Sequence, residues 1–300
     1  MQDEGQTKST DNAAGGPTCS AHGTTLLRDG DPPPVTILRG APHSPFVLVM
    51  DHAGRRIPVI LGDLGLREAD RQRHIAWDIG VAGTGRLLRD ALDAASVTQN
   101  YSRLVIDCNR QPGHPTSIAP RSDSTDVPGN QGLTEADRAA REREIFAPYQ
   151  DAIAALLDER RAAGQESVLV ALHSFTPRLL GRHLPDAAPP APDRPSVEPV
   201  SGDRPWHVGL LYNHDPGFSL VLRDLLLAEG DLVVGDNEPY MLSDLDDYTV
   251  PVHGERRGLP HVEIEIRQDL IADAAGEAAW AARFARLLPL ALAQYRAAHP

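Results

Sequence analysis

Two histidines stand immediately after, or at the end of, short apolar runs: His52 in Asp51-His52-Ala53-Gly54 and His173 in Ala171-Leu172-His173-Ser174-Phe175. Placed at the carboxyl ends of strands in an open α/β sheet, they would face the crevice where such folds bind ligands. Two imidazoles there make a pair of metal ligands, and a catalytic site needs one further protein ligand plus an open position for water. Asp78, in His74-Ile75-Ala76-Trp77-Asp78-Ile79-Gly80, is the candidate for the third ligand, with His74 as the alternative. A carboxylate just before a helix is equally explained as a cap that accepts exposed amides. Zinc is the expected ion, although a His, His, carboxylate set with an open position also suits manganese, iron or cobalt.

Glu263 and Glu265 alternate in the run V-E-I-E-I, and residues two apart in a strand point to the same face. In a buried strand two such carboxylates are costly unless paired, hydrogen-bonded or used. A carboxyl beside an activated water can take its proton and return it to a leaving amine, which is general base and acid work. An edge strand with a solvated acidic face would tolerate the same pair. Cations occur in Ser102-Arg103-Leu104-Val105-Ile106-Asp107-Cys108-Asn109-Arg110. That segment reads as a strand with Arg103 near its start and Asn109-Arg110 just past its end. Guanidinium groups bind carboxylates through paired hydrogen bonds, so Arg110 is a candidate clamp for an acidic substrate, with Arg267 another and Arg103 open to either a substrate-binding or a structural role. Ser174 beside His173 invites a serine-hydrolase reading. Adjacent residues seldom face each other as nucleophile and base, and no G-x-S-x-G elbow occurs.

The elements that must position these groups read as strands at Phe46 to Met50, Ser96 to Asn100, Arg103 to Asp107, Ser167 to Leu172, His207 to Tyr212, Asp231 to Gly235 and His261 to Ile266. Most are nearly continuous in apolar character, as strands buried on both faces are. Helices are expected from Asp78 to about Ala95, from Thr134 to Ala163 behind a Thr134/Asp137 capping box, from Asp215 to Glu229 and from Gly276 to Ala298. Pro148 and Pro289 predict kinks. Strands alternating with helices predict one α/β domain over 35–300 around a mostly parallel, mixed sheet. Residues from Met1 to about Pro34 have too little aliphatic content to offset ordering entropy and read as a disordered leader. Two insertions, at about 111–133 and 177–205, exceed the roughly 15 residues beyond which a loop is usually functional or disordered. The first, with His114, Arg121 and Ser122, is the better candidate for a lid; the second carries the tract DAAPPAPDRP and reads as a solvated excursion.

The 300 residues, 41% of them hydrophobic, suffice for a substantial core. A formal charge of −13 disfavours nucleic acid and anionic membrane as partners. Cys19 and Cys108 form no disulfide framework. With no secretory pattern and no apolar run near the roughly 20 residues that span a bilayer, a cytoplasmic location is expected.

The ordered set D-H-A-G, H-I-A-W-D-I-G, S-R-L-V-I-D-C-N-R-Q-P, A-L-H-S-F and V-E-I-E-I-R-Q-D-L, from about Val47 to Leu270, resembles the N-formylglutamate amidohydrolase family. The resemblance implies a three-layer, phosphorylase/hydrolase-like fold related to zinc carboxypeptidases and aspartoacylases. It also implies deformylation of a small N-acyl amino acid. By that likeness His52, Asp78 and His173 take the metal, Glu265 is the acid/base and Glu263 shapes the pocket. Asn109-Arg110 is similar to the pair by which those relatives hold a substrate carboxylate. The chain departs from the family pattern in two places, having Asp51 and Ala53 where P-H-S-G is typical, and Glu263 and Arg267 where Q-x-E-I-N is common.

Overall fold

The computed structural model describes residues 25–179 and 202–299. In chain order its elements begin with β1 (Val35–Leu38), β2 (Phe46–Met50), α1 (Glu68–Arg71), α2 (Val81–Leu92), β3 (Ala95–Gln99), β4 (Arg121–Ser122) and β5 (Thr125–Asp126). They continue with α3 (Glu135–Arg141), α4 (Ala147–Ala162), β6 (Val168–Phe175), β7 (Arg178–Leu179), β8 (Gly202–Asp203) and β9 (Val208–Leu211). The last are α5 (Gly217–Ala228), β10 (Val234–Asp236), β11 (His261–Arg267) and α6 (Ala274–Ala298).

Seven strands form the main sheet in the order β1-β3-β2-β6-β11-β9-β10. The central four, β3, β2, β6 and β11, run parallel; β1 is antiparallel to β3, β9 is antiparallel to β11, and β10 follows β9. Alternation of side chains divides the interior into two cores. Val47, Val49, Leu169, Ala171 and Leu211 face Tyr149, Ile153 and Leu157 of α4. Leu48, Val170, Leu172 and Ile264 face α2, α5 and α6, with Phe218, Leu222, Phe284 and Leu288 at the contact. The expected three-layer α/β architecture with a mostly parallel, mixed sheet is therefore the one adopted.

The Thr134/Asp137 capping box opens α3, with Thr134 accepting from the Asp137 amide. A π-helical turn, Glu142–Phe146, then separates α3 from α4, and Pro148 lies in the first turn of α4, where its missing N–H costs least. Helix α6 continues through Pro289.

Two expectations need correction. The run from Arg103 to Asp107 is a series of turns and not a strand. Its apolar residues Leu104, Val105 and Ile106 are buried, but side chains take the carbonyls that a neighbouring strand would have taken: Asn130 donates to Leu104 O and Arg141 to Val105 O. Periodicity reports burial and says nothing about which group supplies the backbone partner. The expected leader also ends early, because residues 25–34 are held in place. The Leu26 and Leu27 amides donate to Glu144, and Tyr101 donates to Pro32 O. Residues 1–24 of that leader, and 180–201 of the second insertion, lie outside the described residues. Gly54 is required by close approach, since a Cβ there would stand 2.2 Å from the Asn100 carbonyl carbon.

One buried histidine away from the crevice makes the stability of this fold sensitive to pH. His253, in a π-helical turn Val250–Glu255, donates from Nε2 to Gln150 Oε1 at 2.8 Å, and its Nδ1 has no partner among the described residues. Burial, reinforced by the charge of Arg257, lowers its pKa to about 4. Between that value and the ordinary 6.5 the unfolded chain binds a proton that the folded chain refuses. Stability therefore rises with pH through that window and is lost on acidification. Parent protein should lose up to about 3 kcal/mol more than H253Q between pH 6.5 and pH 4. Urea denaturation at a series of pH values checks this; parallel profiles would refute it.

Candidate metal centre

Strand β2 ends at Met50, so Asp51 and His52 emerge together at the carboxyl edge of the sheet. Strand β6 runs two residues past His173, which places that ring on the edge from within the strand and not after it. Asp78 comes from the loop before α2, where its amide donates to His52 O. It caps nothing, because the first turn of α2 receives no side-chain cap bond. Its carboxylate turns instead toward the two imidazoles. Asp78 Oδ2 lies 3.0 Å from His173 Nδ1 and 3.5 Å from His52 Nδ1, and it accepts from the Ser174 amide at 3.2 Å. The rings meet edge to face, 4.9 Å between centroids. One ligand atom from each of His52, Asp78 and His173 falls within 4.8 Å of the other two, and all three residues are buried. His74 is elsewhere, with Nε2 3.3 Å from Asp123.

Each imidazole is held from behind. His52 Nε2 is 2.7 Å from Asp107 Oδ1, and His173 Nε2 is 3.0 Å from Asp51 Oδ2. A ring that donates its Nε2–H to a carboxylate presents Nδ1 as a lone pair, the arrangement in which metal-binding histidines are oriented. His52 Nδ1 is a buried nitrogen without a hydrogen-bond partner among the described residues. Sequence reasoning missed Asp51 and Asp107 as functional groups, although both lie in motifs it singled out. Burial opposes charge on all of these groups, but their mutual interactions decide the outcome. His52 and His173 hold the Asp78 carboxyl far below its usual range. Arg103 and His52 do the same for Asp107. His173 is raised well above the ordinary imidazole value by Glu263 and by its hydrogen bonds to Asp51 and Asp78.

Glu263 and Glu265 project from β11 on the same face as His173, and Glu265 stands directly across from it in the β6 register. Strand β11 lies between β6 and β9, which removes the edge-strand explanation. Both glutamates are buried, and each has an Oε2 without a partner among the described residues. Burial lifts Glu265 to about 7 and Glu263 well above the normal carboxyl range, with the neighbouring carboxylates adding to the shift.

The polar residues expected to bind substrate divide. Arg103 lies at the centre, donating to Asp107 Oδ2 at 2.6 Å with Nη1 3.6 Å from Asp78 Oδ1. Asn109 supports the scaffold: its Oδ1 accepts from the amides of Tyr248 and Thr249. Thr249 in turn donates to Asp51 Oδ1 at 2.7 Å. Arg110 is paired with Asp247 at 2.7 Å and donates to Asp246 O. Arg267 is paired with Asp269. From the first insertion, His114 reaches Asp246 at 3.4 Å. Ser174 donates to Ile79 O from the opposite face to His173, which closes the serine-hydrolase reading. Across from Glu265 stands Gly209, where a Cβ would sit 1.8 Å from Glu238 O. Glycine alone lets the chain after β10 lie on the sheet there.

No helix among the described residues is long and apolar enough to cross a membrane. The chain is 34% identical to gene product Atu2144 from Agrobacterium tumefaciens, whose crystal structure it matches with a TM-score of 0.80 over 90% of this chain and 99% of that one. It also matches the crystal structure of N-formylglutamate amidohydrolase from Ralstonia eutropha JMP134 at 20% identity and a TM-score of 0.59, covering 88% of this chain and 99% of that one, a likeness of fold. None of the curated proteins matches it significantly. The sequence profile described as N-formylglutamate amidohydrolase matches residues 44–272. The chain therefore belongs to the N-formylglutamate amidohydrolase family.

Proposed function

We propose that the protein is a metal-dependent amidohydrolase that removes the formyl or other small acyl group from an N-acyl amino acid. The observation that carries this reading is the buried convergence of His52 Nδ1, His173 Nδ1 and Asp78 Oδ2 beside Glu265. These three residues would hold a divalent ion, zinc by preference, in the one-carboxylate, two-imidazole manner of catalytic sites. Their donor set fits such an ion: Asp107 and Asp51 fix both rings with Nδ1 turned inward. Once bound, the ion would polarise the acyl carbonyl and acidify a water molecule.

Glu265 is the group suited to proton transfer. Burial raises its pKa toward neutrality, the direction that lets one carboxyl both take a proton and give it back. It takes a proton from the attacking water and delivers it to the amine nitrogen as the C–N bond breaks. Arg103, within ion-pair distance of Asp78, supplies positive charge at the mouth of the centre. Glu263, one pleat deeper along β11, shapes the pocket.

Metal analysis and turnover of a panel of N-formyl and N-acetyl amino acids test the reading. Parent protein should retain one divalent ion per chain and cleave at least one member of the panel. H52A and H173A should each lose the ion while keeping the fold by circular dichroism. D107N should keep it with affinity weakened about 10- to 100-fold. A full equivalent of metal in either alanine variant removes that residue from the ligand set.

The second test concerns mechanism. E265Q preserves size and hydrogen bonding but moves no proton, so metal and substrate should still bind while kcat falls by roughly two to four orders of magnitude. E263Q should be much milder. A near-parental kcat in E265Q, or a dead E263Q, overturns the assignment.

A further inference from the structure

Arginines near the crevice are not equivalent. Arg103, Arg110 and Arg267 each sit against a carboxylate, Asp107, Asp247 and Asp269 respectively. The buried Arg141 and Arg160 are satisfied elsewhere by backbone carbonyls and polar side chains. Arg204 differs from all of them. It is 4% exposed, it forms no ion pair within 4 Å with a carboxylate among the described residues although Glu238 is near enough to feel its charge, its Nη1 reaches Thr176 O at 3.5 Å, and its Nη2 is buried without an acceptor. A buried charge in that condition is costly unless something supplies the missing partner.

The position of Arg204 follows from the strands. Immediately after β6 the chain pairs as β7 with β8, and the Arg204 amide then donates to Pro177 O at 2.9 Å. Its Nη1 donates to Tyr240 Oη at 2.9 Å, and its guanidinium carbon stands 4.9 Å from the Tyr240 ring centroid and 5.8 Å from that of Phe175. Phe175 is two residues beyond His173 on β6 and shares its face, a step of about 6.6 Å. The guanidinium is thus one pleat outward from the metal centre, on the same side of the sheet as Glu265. The Gly209 gap that lets Glu238 lie on the sheet also brings Tyr240 to this place. Cation–π contacts with two aromatic rings and the hydrogen bond to Tyr240 hold the guanidinium in place and leave its Nη2 to receive an anion.

We propose that Arg204 is the carboxylate-binding residue of the crevice, taking the free carboxylate of the amino acid whose acyl amide lies at the metal centre. This rests on the hydrolase reading for the identity of the ligand and deepens it: one pleat is the span of a short amino acid from its amide to a carboxylate. Specificity for an acidic ligand then comes from a residue that the sequence motifs do not contain.

The test uses full-length parent, R204K and R204Q, each with metal content verified. Calorimetry measures binding of glutamate, aspartate, glutamine and glutamate α-amide; kinetics measure kcat and KM for the best N-formyl amino acid. R204Q should bind the acidic amino acids about 30-fold more weakly, and R204K should recover part of that loss because the charge remains while the paired geometry does not. KM should rise in parallel, with kcat changed far less. Parent protein should bind at least one of the two amides about as weakly as R204Q binds glutamate. Binding by R204Q within threefold of parent overturns the proposal. Should R204Q fail to fold, parent protein that binds glutamate and both amides alike overturns it, as does parent protein that binds neither acidic amino acid. A parent that cleaves no N-acyl amino acid yet binds glutamate through Arg204 overturns the hydrolase reading alone. Turnover with an unchanged KM in R204Q overturns the Arg204 assignment alone.

Discussion

Buried charge at the carboxyl edge of the sheet is the constraint around which the fold is arranged. Asp51, Asp78 and Asp107 are all buried, and Arg103 is the guanidinium that reaches two of them. Three negative charges and one positive leave −2 while both imidazoles are neutral, which equals the charge of one divalent ion with sign reversed. Protons on the rings are favoured for the same kind of reason: Asp107 and Asp78 hold His52 above the ordinary imidazole value, and Glu263, Asp51 and Asp78 hold His173 above it, despite burial. Such a cluster persists only where each member has a fixed partner. The supports are correspondingly direct: β2 carries Asp51 and His52, the loop before α2 carries Asp78, and the turns after β3 carry Arg103 and Asp107.

This balance gives meaning to departures from the family pattern. Where P-H-S-G is typical, Asp51 adds a carboxylate that accepts from His173 and is itself held by the Thr249 hydroxyl. Asn109 fixes the backbone at Thr249, so a chain of three hydrogen-bonded residues stretches from the 102–110 turns to the ring of His173. At the other departure, Arg267 is absorbed by Asp269 and adds no free cation to the crevice. The change at Asp51 therefore works on the His52, Asp78 and His173 cluster, while the change at Arg267 is contained within its own loop.

Much of this was legible in the sequence, for physical reasons. Strands buried on both faces write themselves as apolar runs, so β2, β6 and β11 were placed within a few residues, and with them the histidines at the carboxyl ends of β2 and β6. Paired glutamates in an apolar strand signalled a site because a buried carboxylate needs a reason. The capping box of α3 was readable because it is local. What failed was non-local. Leu104 to Ile106 looked like a strand because burial, and not sheet pairing, sets the pattern. The pairing of Arg110, a candidate clamp, with Asp247 was hidden because the two are 137 residues apart. Arg204 sits in a Pro-rich stretch without periodicity, and only the Phe175 and Tyr240 rings give it a place.

The order of strands in the sheet differs from their order in the chain, and this bears on synthesis. Strand β11 is the last strand made among those described, yet it lies between β6 and β9. A nascent chain that has reached β10 has no central strand to join its halves, and the inner edges of β6 and β9 present unpaired backbone to other chains. It also carries His173 without Glu265 across from it. Pairing β6 with β11 closes a loop of nearly a hundred residues, the kind of non-local step that slows folding. The edge that sets His173 across from Glu265 is therefore complete only once β11 has taken its place between β6 and β9.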